Sequence, residues 1–124
     1  MDDVLYREEI LDHYRSSPHR GLLEHPDYHA EVENSLCGDQ ICFELKTKPD
    51  GTIDEVGFDG HGCAISQAAA SLLAEHLEGK SLECARCLNS QQMLELIGTP
   101  LTPRRMKCGL LAWQALRESL VAAE

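Results

Sequence analysis

No apolar run in this sequence approaches the roughly 20 residues that cross a bilayer as a helix, which excludes a membrane-spanning segment. The start, Met1-Asp2-Asp3-Val4-Leu5-Tyr6-Arg7-Glu8-Glu9, lacks the basic patch and greasy stretch of a secretory signal, so the chain is expected in the cytoplasm. Positive charge is scarce. Eleven Lys and Arg stand against 21 Asp and Glu, a net charge of −10. Such a surface repels phosphate backbones and anionic lipid, so neither nucleic acid nor a membrane is expected as a partner. It suits a protein partner with a basic docking face. The 124 residues lack the length for two cores, and no repeat, low-complexity stretch or long linker divides them. One domain over 1–124 is expected.

What is present is an ordinary apolar fraction, 43%, and six cysteines: Cys37, Cys42, Cys63, Cys84, Cys87 and Cys108. A chain with enough apolar material for a core needs no disulfide staples. In a reducing compartment its cysteines read first as metal-binding, catalytic or buried residues.

Hydrophobic periodicity divides the chain in two. Asp2 or Asp3 can cap a first helix carrying Val4, Tyr6, Ile10, Leu11 and Tyr14, which Ser16-Ser17-Pro18 ends. Residues 21–26 read as loop. His29–Glu33 alternates weakly, and Ile41, Phe43 and Leu45 alternate with Cys42, Glu44 and Lys46, as strands do. Lys48-Pro49-Asp50-Gly51 is a turn, with proline presetting φ and glycine permitting positive φ. A strand returns over Thr52–Phe58, with a bulge expected where Ile53 falls out of phase with Val56 and Phe58. Helical spacing then takes over: Ile65, Ala68, Ala69, Leu72, Leu73 and His76, stopped by Gly79. A short helix follows Ser81 and runs through Arg86. Another, capped by Asn89 or Ser90, carries Met93, Leu94 and Ile97. A last one carries Leu110, Trp113, Leu116 or Arg117, Leu120 and Val121. Segregated strands and helices predict an α+β fold, a three-stranded antiparallel sheet with helices packed on one face.

Three segments carry chemistry. In Leu36-Cys37-Gly38-Asp39 the glycine allows a tight turn, so that a thiolate and a carboxylate two residues apart reach one point. In Gly60-His61-Gly62-Cys63-Ala64-Ile65-Ser66 a glycine loop delivers Cys63 to the start of the long helix, where the dipole favours thiolate. In Arg104-Arg105-Met106-Lys107-Cys108-Gly109-Leu110-Leu111 three basic residues precede Cys108, which is expected to open the C-terminal helix. Three thiolates and one carboxylate complete a tetrahedral shell for zinc, or hold a small cluster with one labile corner. The cysteines lack the compact repeat of a zinc finger, so on chemistry alone a shared site competes with scattered structural thiols.

These three segments, in this order, resemble the IscU/SufU/NifU iron–sulfur scaffold family, and the resemblance extends to the first helix with its Tyr14-Arg15-Ser16-Ser17-Pro18-His19 ending. It implies that Cys37, Asp39, Cys63 and Cys108 bind a transient [2Fe–2S] cluster, or Zn2+ when no cluster is present, with Asp39 the labile ligand. It implies that sulfur arrives as a persulfide from a PLP-dependent cysteine desulfurase, with Cys37 or Cys108 as acceptor, and that the cluster passes to recipient apo-proteins. Lys107 stands where IscU-type members have histidine. It and Gly62-Cys63-Ala64-Ile65-Ser66 look SufU-like, yet the insertion of Gram-positive SufU proteins between the second and third cysteines is missing. Leu101-Thr102-Pro103-Arg104-Arg105 does not match the Leu-Pro-Pro-Val-Lys chaperone motif of IscU, and Ser35 stands where many relatives have proline. Two functions follow: a non-catalytic assembly scaffold, or a zinc-dependent sulfurtransferase that relays persulfide sulfur and activates its desulfurase. A structural zinc protein and a thiol oxidoreductase using Cys84 and Cys87 are further alternatives.

The remaining residues have plainer readings. Cys84 and Cys87 lack a second ligand pair and read as packing or incidental thiols. Cys42, off the apolar face, reads as a bystander. His61 is expected in solvent and His76 in a structural role. His13, His19, His25 and His29 lack the helical pairing of a metal site. Trp113 reads as core, and Arg104 and Arg105 as a solvated run or a desulfurase contact.

Overall fold

The Pro49-Asp50-Gly51 turn forms as the sequence predicts, with Gly51 at φ 90° and its N–H bonded to the Lys48 carbonyl at 2.9 Å. It joins two long strands in a computed structural model that describes residues 3–35 and 38–122. Asp2, Leu36, Cys37 and the side chains of Val4 and Tyr6 lie outside the described residues. The elements are α1 (Asp3–Arg15), β1 (Tyr28–Asn34), β2 (Asp39–Thr47), β3 (Ile53–His61), α2 (Ala64–Leu77), α3 (Leu82–Cys87), α4 (Ser90–Ile97), α5 (Pro103–Gly109) and α6 (Leu111–Ala122).

The sheet is an antiparallel meander in the order β1-β2-β3. Phe43 faces Ala30 and Phe58, and Leu45 faces Tyr28 and Val56. The register slips between Lys46 and Thr47, so that Lys46 pairs with Glu55 and Thr47 with Ile53. This is the expected bulge, and it returns Ile53 to the core face, where it is 1% exposed.

α2 and α6 pack on that face, and α1 packs on α2 from outside. The helix α2 is therefore buried on most sides. Ser66, Gln67, Ala70, Ser71 and Ala74 join the expected apolar stripe inside, while Leu72 is only half-buried. A run of alanines keeps the helix thin enough to sit between layers. Its polar residues are satisfied across the layers: Ser71 Oγ lies 2.9 Å from both His13 Nδ1 and Ser17 Oγ.

Local capping explains the short helices. Ser81 accepts the Cys84 N–H, and Asn89 forms a full capping box with Gln92. Thr102 caps α5, and Pro103 occupies its first turn. That cap corrects one expectation. Cys108 does not open the C-terminal helix; it lies in the last turn of the separate helix α5, and α6 begins after Leu110. The C-terminal stripe keeps Leu116 and Leu120 and differs elsewhere. Leu111, Ala112, Ala115, Leu116, Ser119 and Leu120 are buried, whereas Val121 is 64% exposed. Trp113 is half-buried, and its indole N–H donates to the Leu88 carbonyl at 2.9 Å.

The other face of the sheet is not left to solvent. After α1 the chain bonds to the edge of β3, Gly21 N–H to the Phe58 carbonyl at 2.7 Å and Phe58 N–H to His19 at 3.2 Å. It then crosses over Gly57, where a side chain would strike the Gly21 carbonyl and Leu23. This strap covers Glu44, whose Oε1 accepts the Leu23 N–H at 2.8 Å; Cys42 and Glu44 are 6% and 4% exposed on the side away from the core.

Truncating Leu73, fully buried in α2, is expected to lower stability by about 2–5 kcal/mol through transfer and cavity terms. Val121→Ala, on the exposed edge of α6, is expected to change it by less than about 0.5 kcal/mol. Urea unfolding of both variants, with unchanged slope, checks the pair of values and the shifted stripe.

Candidate metal and sulfur site

Asp39 is the first residue of β2 and pairs with Asn34 across the β1–β2 turn. Gly38 precedes it at φ 73°, with its N–H on the Asn34 carbonyl at 2.8 Å. That left-handed residue is what turns the chain tightly enough to aim Asp39 at the far edge of the sheet. There β3 ends, and Gly62, at φ 127°, swings the chain into α2. A Cβ on Gly62 would fall onto Oδ1 and Cγ of Asp39, so the two segments approach as closely as only glycine permits.

Cys63 is the N-cap residue of α2, but its side chain makes no capping bond. Its backbone N–H instead donates to Asp39 Oδ1 at 2.9 Å, and its thiol to Oδ2 at 3.3 Å. Ser66, one turn on, holds the Cys63 carbonyl at 3.0 Å. Cys108 comes from the opposite side, on α5, which packs against α2, α4 and α6. Gly109 lets it in close, since a Cβ there would crowd Ile97 and Leu101 at 2.9 Å.

Asp39 Oδ, Cys63 Sγ and Cys108 Sγ consequently lie within 4.8 Å of one another. Asp39 and Cys108 are buried, at 1% and 4% exposure, while Cys63 is open to solvent. Burial alone raises the Asp39 pKa. The Cys63 N–H, the thiols of Cys108 and Cys63 and the Ser66 hydroxyl outweigh it and hold the carboxyl below its ordinary value. A buried, ionised carboxylate beside two thiols at a helix N-terminus is a donor set that fits a thiophilic metal ion or one corner of a cluster.

The structure thus gathers three of the four residues singled out in the sequence. Cys37, the fourth, lies outside the described residues. Cys63 stands at the N-terminus of α2, as expected, whereas Cys108 sits at the C-terminal end of α5. Arg104, Arg105 and Lys107 are exposed on α5. His61 is exposed, as expected, and with Gly62, Gly60, Tyr14, Arg20 and Gln67 lines a shallow cavity beside the site. Arg20 is fixed there over the Phe58 ring, 5.1 Å from its centroid, with its guanidinium donating to Gln67 Oε1 at 2.9 Å.

The other cysteines separate clearly. Cys84 and Cys87 are free thiols on α3, and Cys87 donates to Glu83 at 3.3 Å, an interaction that raises its pKa. Neither belongs to a ligand group among the described residues. Cys42 is buried off the core face. Its thiol is pushed up to about 11 by burial and by Glu44, Glu31 and Asp59, and it shares a cluster with His29 and Glu44. Local sequence pattern could not show this trio, because strand register and the strap create it; the one available signal is the strand phase that puts Cys42 and Glu44 on the same face.

Comparison with known proteins agrees with this geometry. The NifU-like N terminal domain family matches residues 5–123. The chain is 30% identical to the zinc-dependent sulfurtransferase SufU of Bacillus subtilis, over 98% of this chain and 93% of that one. It is 35% identical to the iron–sulfur cluster assembly scaffold protein IscU of Thermotoga maritima, over 94% and 93%. Among solved structures it matches a protein of Fervidobacterium islandicum described as an iron–sulfur scaffold for the SUF system, at TM-score 0.77 and 27% identity, covering 97% of this chain and 99% of that one. It also matches the N-terminal part of a NifU-like protein from Brucella abortus, at TM-score 0.73 and 25% identity, covering 98% and 95%. With a match that spans the sheet, every helix and all three chemical segments, the chain belongs to the NifU-like N-terminal domain family.

Proposed function

We propose that this protein is an iron–sulfur cluster assembly scaffold. It accepts sulfur from a PLP-dependent cysteine desulfurase, holds a transient [2Fe–2S] cluster on Cys37, Asp39, Cys63 and Cys108, and passes it to apo-proteins. The observation that carries this reading is the convergence of Asp39, Cys63 and Cys108 within 4.8 Å beside solvent. An inert structural zinc site is normally closed and built from Cys and His. Here one donor is a carboxylate and one thiol is exposed, which suits loading and release. The scaffold relatives IscU of T. maritima and of Haemophilus influenzae support it.

The cluster is cargo, and the thiols that hold it would be bound as thiolates. The chain's own part is to aim the donors. The Cys63 N–H keeps Asp39 ionised without consuming Oδ2. The exposed guanidinium groups of Arg104 and Arg105, and Lys107, give an otherwise acidic protein a cationic edge next to Cys108, where an acidic segment of a desulfurase can dock. The burial of Cys108 supports Cys37 as persulfide acceptor, because an incoming persulfide must reach the attacking sulfur.

The second reading, a zinc-dependent sulfur relay, is favoured by Lys107 and by the kinship with SufU of B. subtilis. The alignments with that protein and with the T. maritima scaffold span 139 and 133 positions, both more than the 124 residues of this chain, so missing segments do not separate the two readings.

Protein purified without oxygen and supplied with iron, cysteine and a desulfurase is expected to gain iron and acid-labile sulfide in near-equal amounts, with a visible [2Fe–2S] chromophore. Stoichiometric zinc with a protein persulfide and no chromophore would overturn the scaffold reading in favour of the relay. Cys63→Ala is expected to abolish the chromophore. Gly62→Ala forces a side chain into a left-handed residue and onto the Asp39 carboxylate, and is expected to weaken metal binding at this site by roughly 10–100-fold. A zinc competition titration of the folded variant measures that loss.

A further inference from the structure

On the far side of the sheet from the scaffold's helices, the strap over β2 encloses a second group of donors. His29 on β1 pairs directly with Glu44 on β2, and Cys42 is the next residue along the same face. His29 Nδ1 lies 2.6 Å from Glu44 Oε2 and 3.6 Å from Cys42 Sγ. All three donor atoms fall within 4.8 Å of one another.

We infer that His29, Cys42 and Glu44 form a second, independent site for a zinc-like divalent cation. One sulfur, one nitrogen and one oxygen converge from two hydrogen-bonded strands, a rigid platform that holds ligands in place before the ion arrives. On a tetrahedral zinc with bonds of about 2.3 Å to sulfur and 2.0 Å to nitrogen, those two atoms stand about 3.5 Å apart. The observed Cys42–His29 separation is 3.6 Å. Zinc would part His29 Nδ1 and Glu44 Oε2 from 2.6 Å to about 3.3 Å, replacing the hydrogen bond between them. The Leu23 N–H holds Glu44 Oε1 at 2.8 Å and leaves Oε2 turned toward the other two donors, which is how outer partners orient a ligating carboxylate.

Charge points the same way. Glu31 and Asp59 are the cross-strand neighbours of Cys42. Lys46, two residues beyond Glu44 on the same strand, turns its ammonium to the His25 carbonyl at 3.2 Å. The pocket is anionic, and a divalent ion is the species that balances it. Thiolate and imidazole select zinc-like ions over magnesium or calcium. The His29 side chain is 55% exposed and marks the entry path, while Cys42 and Glu44 are buried. Three protein donors leave a fourth position for water or an incoming ligand.

The test uses the full chain, stripped of metal and titrated with zinc against a chromophoric chelator. Wild type is expected to bind two zinc ions. The double variant Cys63→Ala/Cys108→Ala, which disables the first site, is expected to keep one, and Co2+ in its place is expected to show charge transfer from a single thiolate. Adding His29→Ala, or Cys42→Ser, to that variant is expected to remove it. His29 is largely in solvent, so its replacement tests the site even where Cys42→Ser perturbs packing; circular dichroism confirms the fold in each case. A folded double variant that binds no zinc would overturn the inference, as would binding that survives both His29→Ala and Cys42→Ser. Both results stand apart from the scaffold reading, which the double variant already disables.

Discussion

The hydrogen bond from the Cys63 N–H to Asp39 Oδ1 joins the beginning of β2 to the beginning of α2. Around it the rest of the site is arranged. It uses one of the free donors that every helix N-terminus offers, and it stabilises a carboxylate that burial would otherwise neutralise. It also requires the two chain segments to approach so closely that position 62 has no room for a side chain. The thiol of Cys63 is freed from capping, and Cys108 needs only the packing of α5 on α2 to complete the set.

This arrangement makes the sheet and the helices serve different ends. The core face of the meander, with Phe43, Leu45 and Phe58, holds α2 in place and so fixes the direction of its N-terminus. The donors then sit at the seam where strands hand over to helices, fixed by the scaffold yet open on one side. An exposed thiol beside a buried carboxylate is a poor design for permanent storage and a good one for transfer. The cationic edge of α5 lies next to that opening, on a protein whose net charge is −10.

Much of this was legible in the residues. Gly38 and Gly62 announced tight turns beside Asp39 and Cys63, and Pro49-Asp50-Gly51 announced the hairpin. Local chemistry dictates such features, and the structure keeps them. Cys108 falls close to Asp39 and Cys63 but not at the start of a helix, because the Thr102-Pro103 cap begins a separate turn of helix earlier than the apolar stripe does. On α6, Leu116 and Leu120 are buried as expected, while Leu111, Ala112 and Ala115 take the places expected of Leu110 and Trp113, and Val121 faces solvent. The trio of His29, Cys42 and Glu44 was missed altogether. Its members are brought together by cross-strand register and by the strap, which hydrophobic periodicity along one segment cannot report.

The central claim is that Asp39, Cys63 and Cys108 hold a common ion, and anomalous diffraction from a crystal loaded with zinc tests it most directly. The account predicts an anomalous peak about 2.3 Å from both Cys63 Sγ and Cys108 Sγ and about 2.0 Å from an Asp39 oxygen. A loaded crystal with no peak bonded to these three side chains would contradict it.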